Sequence, residues 1–98
     1  MDVVDDVVDT REPEIVMYGA DWCGDCLRAK SFLNERDIAF AYVDLVAHPE
    51  FMAAVMDRNQ GARRIPVIVF PDGSHLTEPS NIDLAAKLDE MADAPGSP

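Results

Sequence analysis

The spacing of apolar positions changes repeatedly along the chain, and each change marks an element. Glu14-Ile15-Val16-Met17-Tyr18 is a short apolar run closed by Gly19 and reads as a buried strand. From Gly24 to Asp37 the period lengthens. Cys26, Leu27, Ala29, Phe32 and Leu33 then fall on one stripe of a helix. Ala39 to Val43 is a second strand-like run. His48-Pro49 opens another helix, with proline where its missing N–H does no harm and Phe51, Met52, Val55 and Met56 as the expected buried face. Asn59-Gln60-Gly61 stops it. Val67 to Phe70 is the strongest strand signal, Pro71-Asp72-Gly73 a tight turn, and Ser74-His75-Leu76 a short returning strand. Ser80 with Asp83 three residues on predicts a capping-box start to a last helix, whose apolar stripe is Leu84, Leu88 and Met91.

The order is therefore β-α-β-α-β-β-α. The first two strands, joined through a helix, must cross over right-handed, and the hairpin then adds two antiparallel strands. An α/β architecture follows: a four-stranded mixed sheet with three helices, placed on both faces. A chain of 98 residues fits one domain with a small core. The expected boundaries are an acidic, weakly ordered extension over 1–13, a folded domain over 14–92 and a flexible tail over 93–98.

Charge narrows the function. The formal net charge is −11, from 19 acids against 8 bases. A nucleic-acid binder would show a basic surface, so nucleic acid is not an expected partner. Residues 1–14 alone hold six acids and only Arg11; the acidity serves solubility or steers toward basic partners. No apolar run approaches the length of a membrane span, and the acidic opening Met1-Asp2-Val3-Val4-Asp5-Asp6 does not resemble an export signal. The expected compartment is the cytoplasm, where a lone cysteine pair is more often catalytic or metal-binding than a structural staple.

That pair is Cys23 and Cys26, the two cysteines of the chain, in Ala20-Asp21-Trp22-Cys23-Gly24-Asp25-Cys26 at a strand-to-helix junction. A helix N-terminus presents unpaired N–H groups and partial positive charge, which favour a thiolate there. Cys23 is the expected nucleophile. Cys26, one turn in, is placed to attack a mixed disulfide on Cys23 and so to resolve it. Trp22 fits either a ring beside the nucleophile or an ordinary core aromatic. Asp25 opposes thiolate by its charge and suits the first helical turn by its position; Arg28 and Lys30 either offset it, draw in a carboxylate, or simply form a solvated face. His48 and His75 lie at spacings too long for a zinc finger with the two thiols, and no bound metal is expected. A cluster shared between two chains, each giving one thiolate, is the alternative use. Ile65-Pro66 precedes the central strand, and a cis bond there would leave backbone groups open to an extended thiol ligand. Ser80 and Asn81 begin the last helix, which can receive a carboxylate or merely be capped.

With the thiol motif, Arg63-Arg64-Ile65-Pro66-Val67, and Asp72-Gly73-Ser74 with Leu76-Thr77-Glu78-Pro79-Ser80 in place, the chain resembles the glutaredoxins, most nearly the actinobacterial mycoredoxins, over roughly residues 14–92. The resemblance implies the minimal thioredoxin (glutaredoxin) fold. It implies a monomeric, cytoplasmic thiol–disulfide oxidoreductase with no bound cofactor, acting on protein disulfides and on mixed disulfides with a low-molecular-weight thiol. That co-substrate is mycothiol in mycoredoxins and glutathione in ordinary glutaredoxins. Cys23 and Cys26 carry the chemistry; Trp22, Ile65, Pro66, Ser80 and Asn81 line the substrate groove; Asp25 and Arg28 modulate it. Asp25 departs from the family pattern, which usually has an aromatic there, and a charge at the rim would exclude an anionic thiol. Two other readings stand beside this one. One is a thioredoxin-like electron donor to ribonucleotide reductase or a peroxidase, fed by a flavoenzyme reductase. The other is a cluster-binding or partner-docking module.

Overall fold

The computed structural model describes residues 15–92; the acidic extension 1–13 and the tail 93–98 lie outside them. Strand β1 (Ile15–Gly19) leads into helix α1 (Gly24–Glu35), then β2 (Phe40–Asp44). A 3-10 turn (Pro49–Phe51) runs into α2 (Met52–Arg58), followed by β3 (Val67–Val69), β4 (His75–Thr77) and α3 (Asn81–Ala92). The sheet order is β2-β1-β3-β4. β1 pairs parallel with β2, Ile15 opposite Phe40 through Gly19 opposite Asp44. It pairs antiparallel with β3, Met17 opposite Ile68 and Tyr18 opposite Val67, and β3 pairs antiparallel with β4. This is the expected four-stranded mixed sheet with three helices.

Alternation along β1 and β3 divides the core in two. Ile15, Met17, Ile68 and Phe70 meet Ala29 and Leu33 of α1 and Leu84 of α3 in one buried cluster. On the other face Val67, Leu45 and Ile65 meet Val55 of α2, and the cluster extends over the sheet's end to Ala20 and Cys26. Tyr18, Val43, Met52 and Val69 close this second cluster only partly. Alternation explains the split, because neighbours on a strand point to opposite faces.

Local chemistry sets the element ends. α1 stops at Glu35, two residues before the sequence pattern ends, because Asp37 turns left-handed at φ 58°, a conformation Asp tolerates better than most residues. The Ile38 N–H then returns to the Leu33 carbonyl at 3.0 Å. In the hairpin, Gly73 sits at φ 90°, and Asp72 accepts from the Ser74 N–H at 2.9 Å and from Lys87 Nζ of α3 at 2.8 Å. Ser80 and Asp83 form the anticipated capping box: the Asp83 N–H donates to Ser80 Oγ at 3.0 Å and the Ser80 N–H to Asp83 Oδ2 at 3.2 Å.

Two expected core residues are on the surface. Phe51 belongs to the 3-10 turn, whose tighter winding takes it off the stripe of α2, and its ring stands edge-on to His48. Leu27 is exposed because Cys26, Ala29 and Leu33 take the inward face of α1, and one residue on is a 100° rotation away. Met52 and Met56 are half-buried rather than buried.

Candidate active site

The turn between β1 and α1 brings the two sulfurs together. The Cys23 N–H donates to the Ala20 carbonyl at 3.1 Å, which folds Asp21-Trp22 outward. Cys23 is the N-cap of α1 in extended conformation, and its Sγ accepts the Cys26 N–H at 3.3 Å. Ser, Thr, Asp or Asn usually fills such a position; here a sulfur does. An orphan donor of the helix is thus aimed at the Cys23 sulfur.

The two thiols occupy opposite environments. Cys23 is half-exposed; Cys26 has no exposed surface. Burial, reinforced by a hydrogen bond to Cys23, pushes the Cys26 thiol up to about 12, although a backbone hydrogen bond at Ala20 works the other way. Cys26 therefore stays protonated while Cys23 takes the exposed, donor-facing place. Gly19 makes room for this arrangement. A Cβ there would lie 2.9 Å from Cys26 Sγ and 3.3 Å from the Tyr42 ring. Sequence reasoning treated Gly19 only as the end of a strand, and the residue's own identity carries no sign of the sulfur above it. Tyr42 was likewise unremarked. Its ring lies under Lys30, and its hydroxyl donates to Asp21 at 3.3 Å; burial and the Asp21 carboxylate raise its phenol above the ordinary range.

The remaining sequence-predicted residues divide into two groups. Ile65 is buried in the cluster that holds Cys26, with Cys23 packed on its margin, and the Ile65-Pro66 bond is cis. Pro66 is fully buried, and its carbonyl accepts the Glu78 N–H at 2.8 Å, which ties this loop to the approach to α3. Arg28 reaches α3 as well: Nη1 donates to Asn81 Oδ1 at 2.7 Å, and Nη2 donates to the Pro79 carbonyl at 2.9 Å and lies 3.5 Å from Asp25 Oδ1. Asp25, Arg28 and Asn81 are thus one connected group. Ser80 uses its hydroxyl to cap α3. Trp22 is not a core aromatic: it is 75% exposed, on the turn next to Cys23. Asn59, expected only as part of a helix stop, braces the loop before Ile65, donating to the Arg64 carbonyl at 2.9 Å and accepting from Thr77 Oγ1 at 2.6 Å.

The histidines stand apart. His48 lies beside Glu50, and His75 on β4 beside Arg58. Among the described residues no group of three His, Cys, Asp or Glu side chains is placed to hold a metal ion, and no helix is long and apolar enough to cross a membrane.

Comparison with known proteins decides the family, because the glutaredoxin family model matches residues 15–76. The chain belongs to the glutaredoxin family. It is 41% identical over 81 residues to a Mycobacterium tuberculosis protein that bears the name of a glutaredoxin, covering 80% of this chain and 93% of that one. It is 27% identical over 78 residues to mycoredoxin 1 of Corynebacterium glutamicum, covering 80% and 96%. Among solved structures it is similar to Escherichia coli NrdH-redoxin, a glutaredoxin-like protein with a thioredoxin-like activity profile, at TM-score 0.60 and 27% identity over 76% of this chain and 92% of that one. It is a glutaredoxin-family redox protein, and the cysteine pair lies at the junction the family fold provides.

Proposed function

We propose that this chain is a mycoredoxin-type thiol–disulfide oxidoreductase that reduces mixed disulfides between proteins and a low-molecular-weight thiol. The observation that carries the reading is the asymmetry of the sulfurs: an accessible Cys23 at a helix N-terminus, accepting the Cys26 N–H, above a buried and protonated Cys26. Cys23, as thiolate, attacks the small-thiol sulfur of protein–S–S–R. The Cys23–S–S–R bond forms, the protein leaves as a thiolate and takes up a proton. A second RSH then attacks, giving R–S–S–R and free Cys23. Alternatively Cys26 gives up its proton and attacks Cys23 Sγ, forming the Cys23–Cys26 disulfide and releasing RSH. Two electrons from further small thiol or from a flavoenzyme reductase restore the dithiol. Mycothiol or glutathione is the co-substrate, the protein acts in the cytoplasm as a monomer, and Trp22, Ile65 and Pro66 border the groove. The likeness to mycoredoxin 1 supports mycothiol.

A thioredoxin-like electron donor is the second reading. What favours it is that Ser80 and Asn81, the polar side chains at the start of α3, are engaged within the protein, together with the similarity to NrdH-redoxin. One coupled assay separates the two. The expected result is that reduced protein strips mycothiol or glutathione from a mixed disulfide, that Cys23→Ser is inactive, and that the dithiol couple lies at about −200 to −230 mV. Failure to do so, with electrons accepted from a thioredoxin reductase at about −270 mV, selects the second reading.

A further inference from the structure

The start of α1, beside the cysteine pair, carries a charged pair whose bonding is lopsided. Arg28 makes its two short bonds to neutral acceptors at the entry to α3, at 2.7 Å to Asn81 and 2.9 Å to the Pro79 carbonyl just before it, and only a 3.5 Å contact to Asp25. Its side chain is 34% exposed, whereas that of Asp25 is 59% exposed. The guanidinium is therefore held mainly by these neutral oxygens, and the carboxylate between the two cysteines keeps most of its surface in water. At the start of α3 the capping box engages two further polar groups. The Ser80 N–H and Asp83 N–H of the capping box go to each other's side chains. The Lys30 ammonium lies against the Tyr42 ring and 3.8 Å from Asp21. Arg64 lines a separate cleft of about 350 Å³ with Arg58, Asn59 and Thr77.

We propose that Asp25 and Arg28 are the charge-selecting pair of the groove: Arg28, engaged by α3, leaves the Asp25 carboxylate to disfavour an anionic thiol ligand relative to a neutral one of the same size. The reacting thiol is then one whose groups near the sulfur carry no net negative charge. This rests on the thiol-transfer reading above, and it concerns which ligand charge the site accepts. Asp25 is a specificity-determining residue; Arg28 acts through Asp25 and is a positioning residue.

The test is alkylation of Cys23 by iodoacetate and by iodoacetamide, reagents of nearly equal size that differ by one negative charge. Both consume the same thiolate, so the ratio of their rates reports the local field alone, and Cys26 is buried out of reach. Asp25→Asn is expected to raise the iodoacetate-to-iodoacetamide ratio about threefold, the effect of one unit charge several ångström away in watery surroundings. Arg28→Ala is expected to lower it about twofold, in keeping with a screened surface pair. Because Arg28→Ala also cuts the tie to α3, Arg28→Lys is its control. It keeps the charge and is expected to keep the ratio. An unchanged ratio in Asp25→Asn, or a lysine variant as depressed as the alanine variant, overturns the proposal. In turnover, kcat/KM for a peptide–glutathione disulfide relative to a peptide–mercaptoethanol disulfide is expected to rise in Asp25→Asn by a similar factor. Wild-type protein that reduces neither disulfide would refute the thiol-transfer reading, while the alkylation ratio would still decide the role of the pair.

Discussion

The two faces of the sheet are covered unequally, by two long helices on one side and one short helix on the other, and the cysteine pair lies with the thinner cover. On one side α1 and α3, each 12 residues long, close over Met17, Leu33, Ile68 and Leu84, none of which retains exposed surface. On the other, α2 has seven residues and leaves Tyr18, Val43, Met52 and Val69 partly open. Cys26 belongs to this second cluster although it stands on α1. The lesson is a division of labour within a domain of 78 described residues. The deep face supplies most of the burial and anchors α1, and the shallow face lets one end of α1 present a sulfur to solvent above a dry partner. Burying apolar surface stabilises in proportion to area, so the two-helix face, with the larger buried side chains Phe70, Met17, Leu33, Ile68 and Leu84, carries more of the folding free energy.

Truncating Leu33 is the strongest way to break this division. It lies at the centre of the deep cluster with no exposed surface, and Leu→Ala at such sites costs about 2–5 kcal/mol. In a domain of this size that lowers the melting temperature by more than about 10 °C. The expected second half of the result is that Cys23 alkylation, measured at a temperature where the variant is still folded, stays close to wild type. A large fall in thiol reactivity there would mean that the two faces are coupled and the division is false.

Gly19→Ala probes the boundary between the faces. The new methyl would come 2.9 Å from Cys26 Sγ and 3.2 Å from its Cβ, so Cys26 must move. Overpacking of this kind costs about 1–3 kcal/mol, less than Leu33→Ala. It should also act selectively. Transfer through Cys23 alone, with a second small thiol as the resolving agent, is expected to persist, while formation of the Cys23–Cys26 disulfide slows. Comparing monothiol and dithiol turnover checks this, and equal losses in both would remove Gly19 from the description of the site.

The fold was legible in the sequence because each signal was local. Apolar runs, the Pro71-Asp72-Gly73 turn and the Ser80–Asp83 cap depend on residues close in the chain, and all appear where their chemistry puts them. The cysteine pair was legible for the same reason. Less could be read where spatial neighbours are distant in sequence. Arg28 and Asn81 are 53 positions apart, Asn59 and Thr77 18, and no periodicity links them. Trp22 was ambiguous because an aromatic on a turn suits either a core or a rim, and only the outward fold of Asp21-Trp22 decides it. Leu27 and Phe51 show the limit of stripe reasoning. A single residue of helical phase, or three residues of tighter winding, separates a buried side chain from an exposed one.

The difference between the faces also predicts a dependence on pH. Cys26 is held protonated by burial, its thiol raised from an ordinary value near 9 to about 12. Between those values the folded dithiol protein binds a proton that the unfolded chain has released. Stability from this group is then fully present below about pH 9 and is lost as pH rises toward 12. At pH 10, one unit above the ordinary thiol, the loss is at most about 1.4 kcal/mol. Alkaline titration of other groups lies on top of it, so the informative quantity is a difference between two forms of one protein. With Cys23 and Cys26 joined as a disulfide no thiol remains to titrate, and this part of the slope disappears. Denaturant unfolding of the reduced and oxidised forms at pH 8 and pH 10 is therefore expected to show the reduced form losing more stability. Cys26→Ser, which has no thiol at the buried position, should behave in this respect like the oxidised form. Parallel slopes in all three would mean that Cys26 ionises as readily in the folded protein as in the unfolded chain. The shallow face would then be wet beneath Cys23, and the contrast between an accessible Cys23 and a dry Cys26 would not hold.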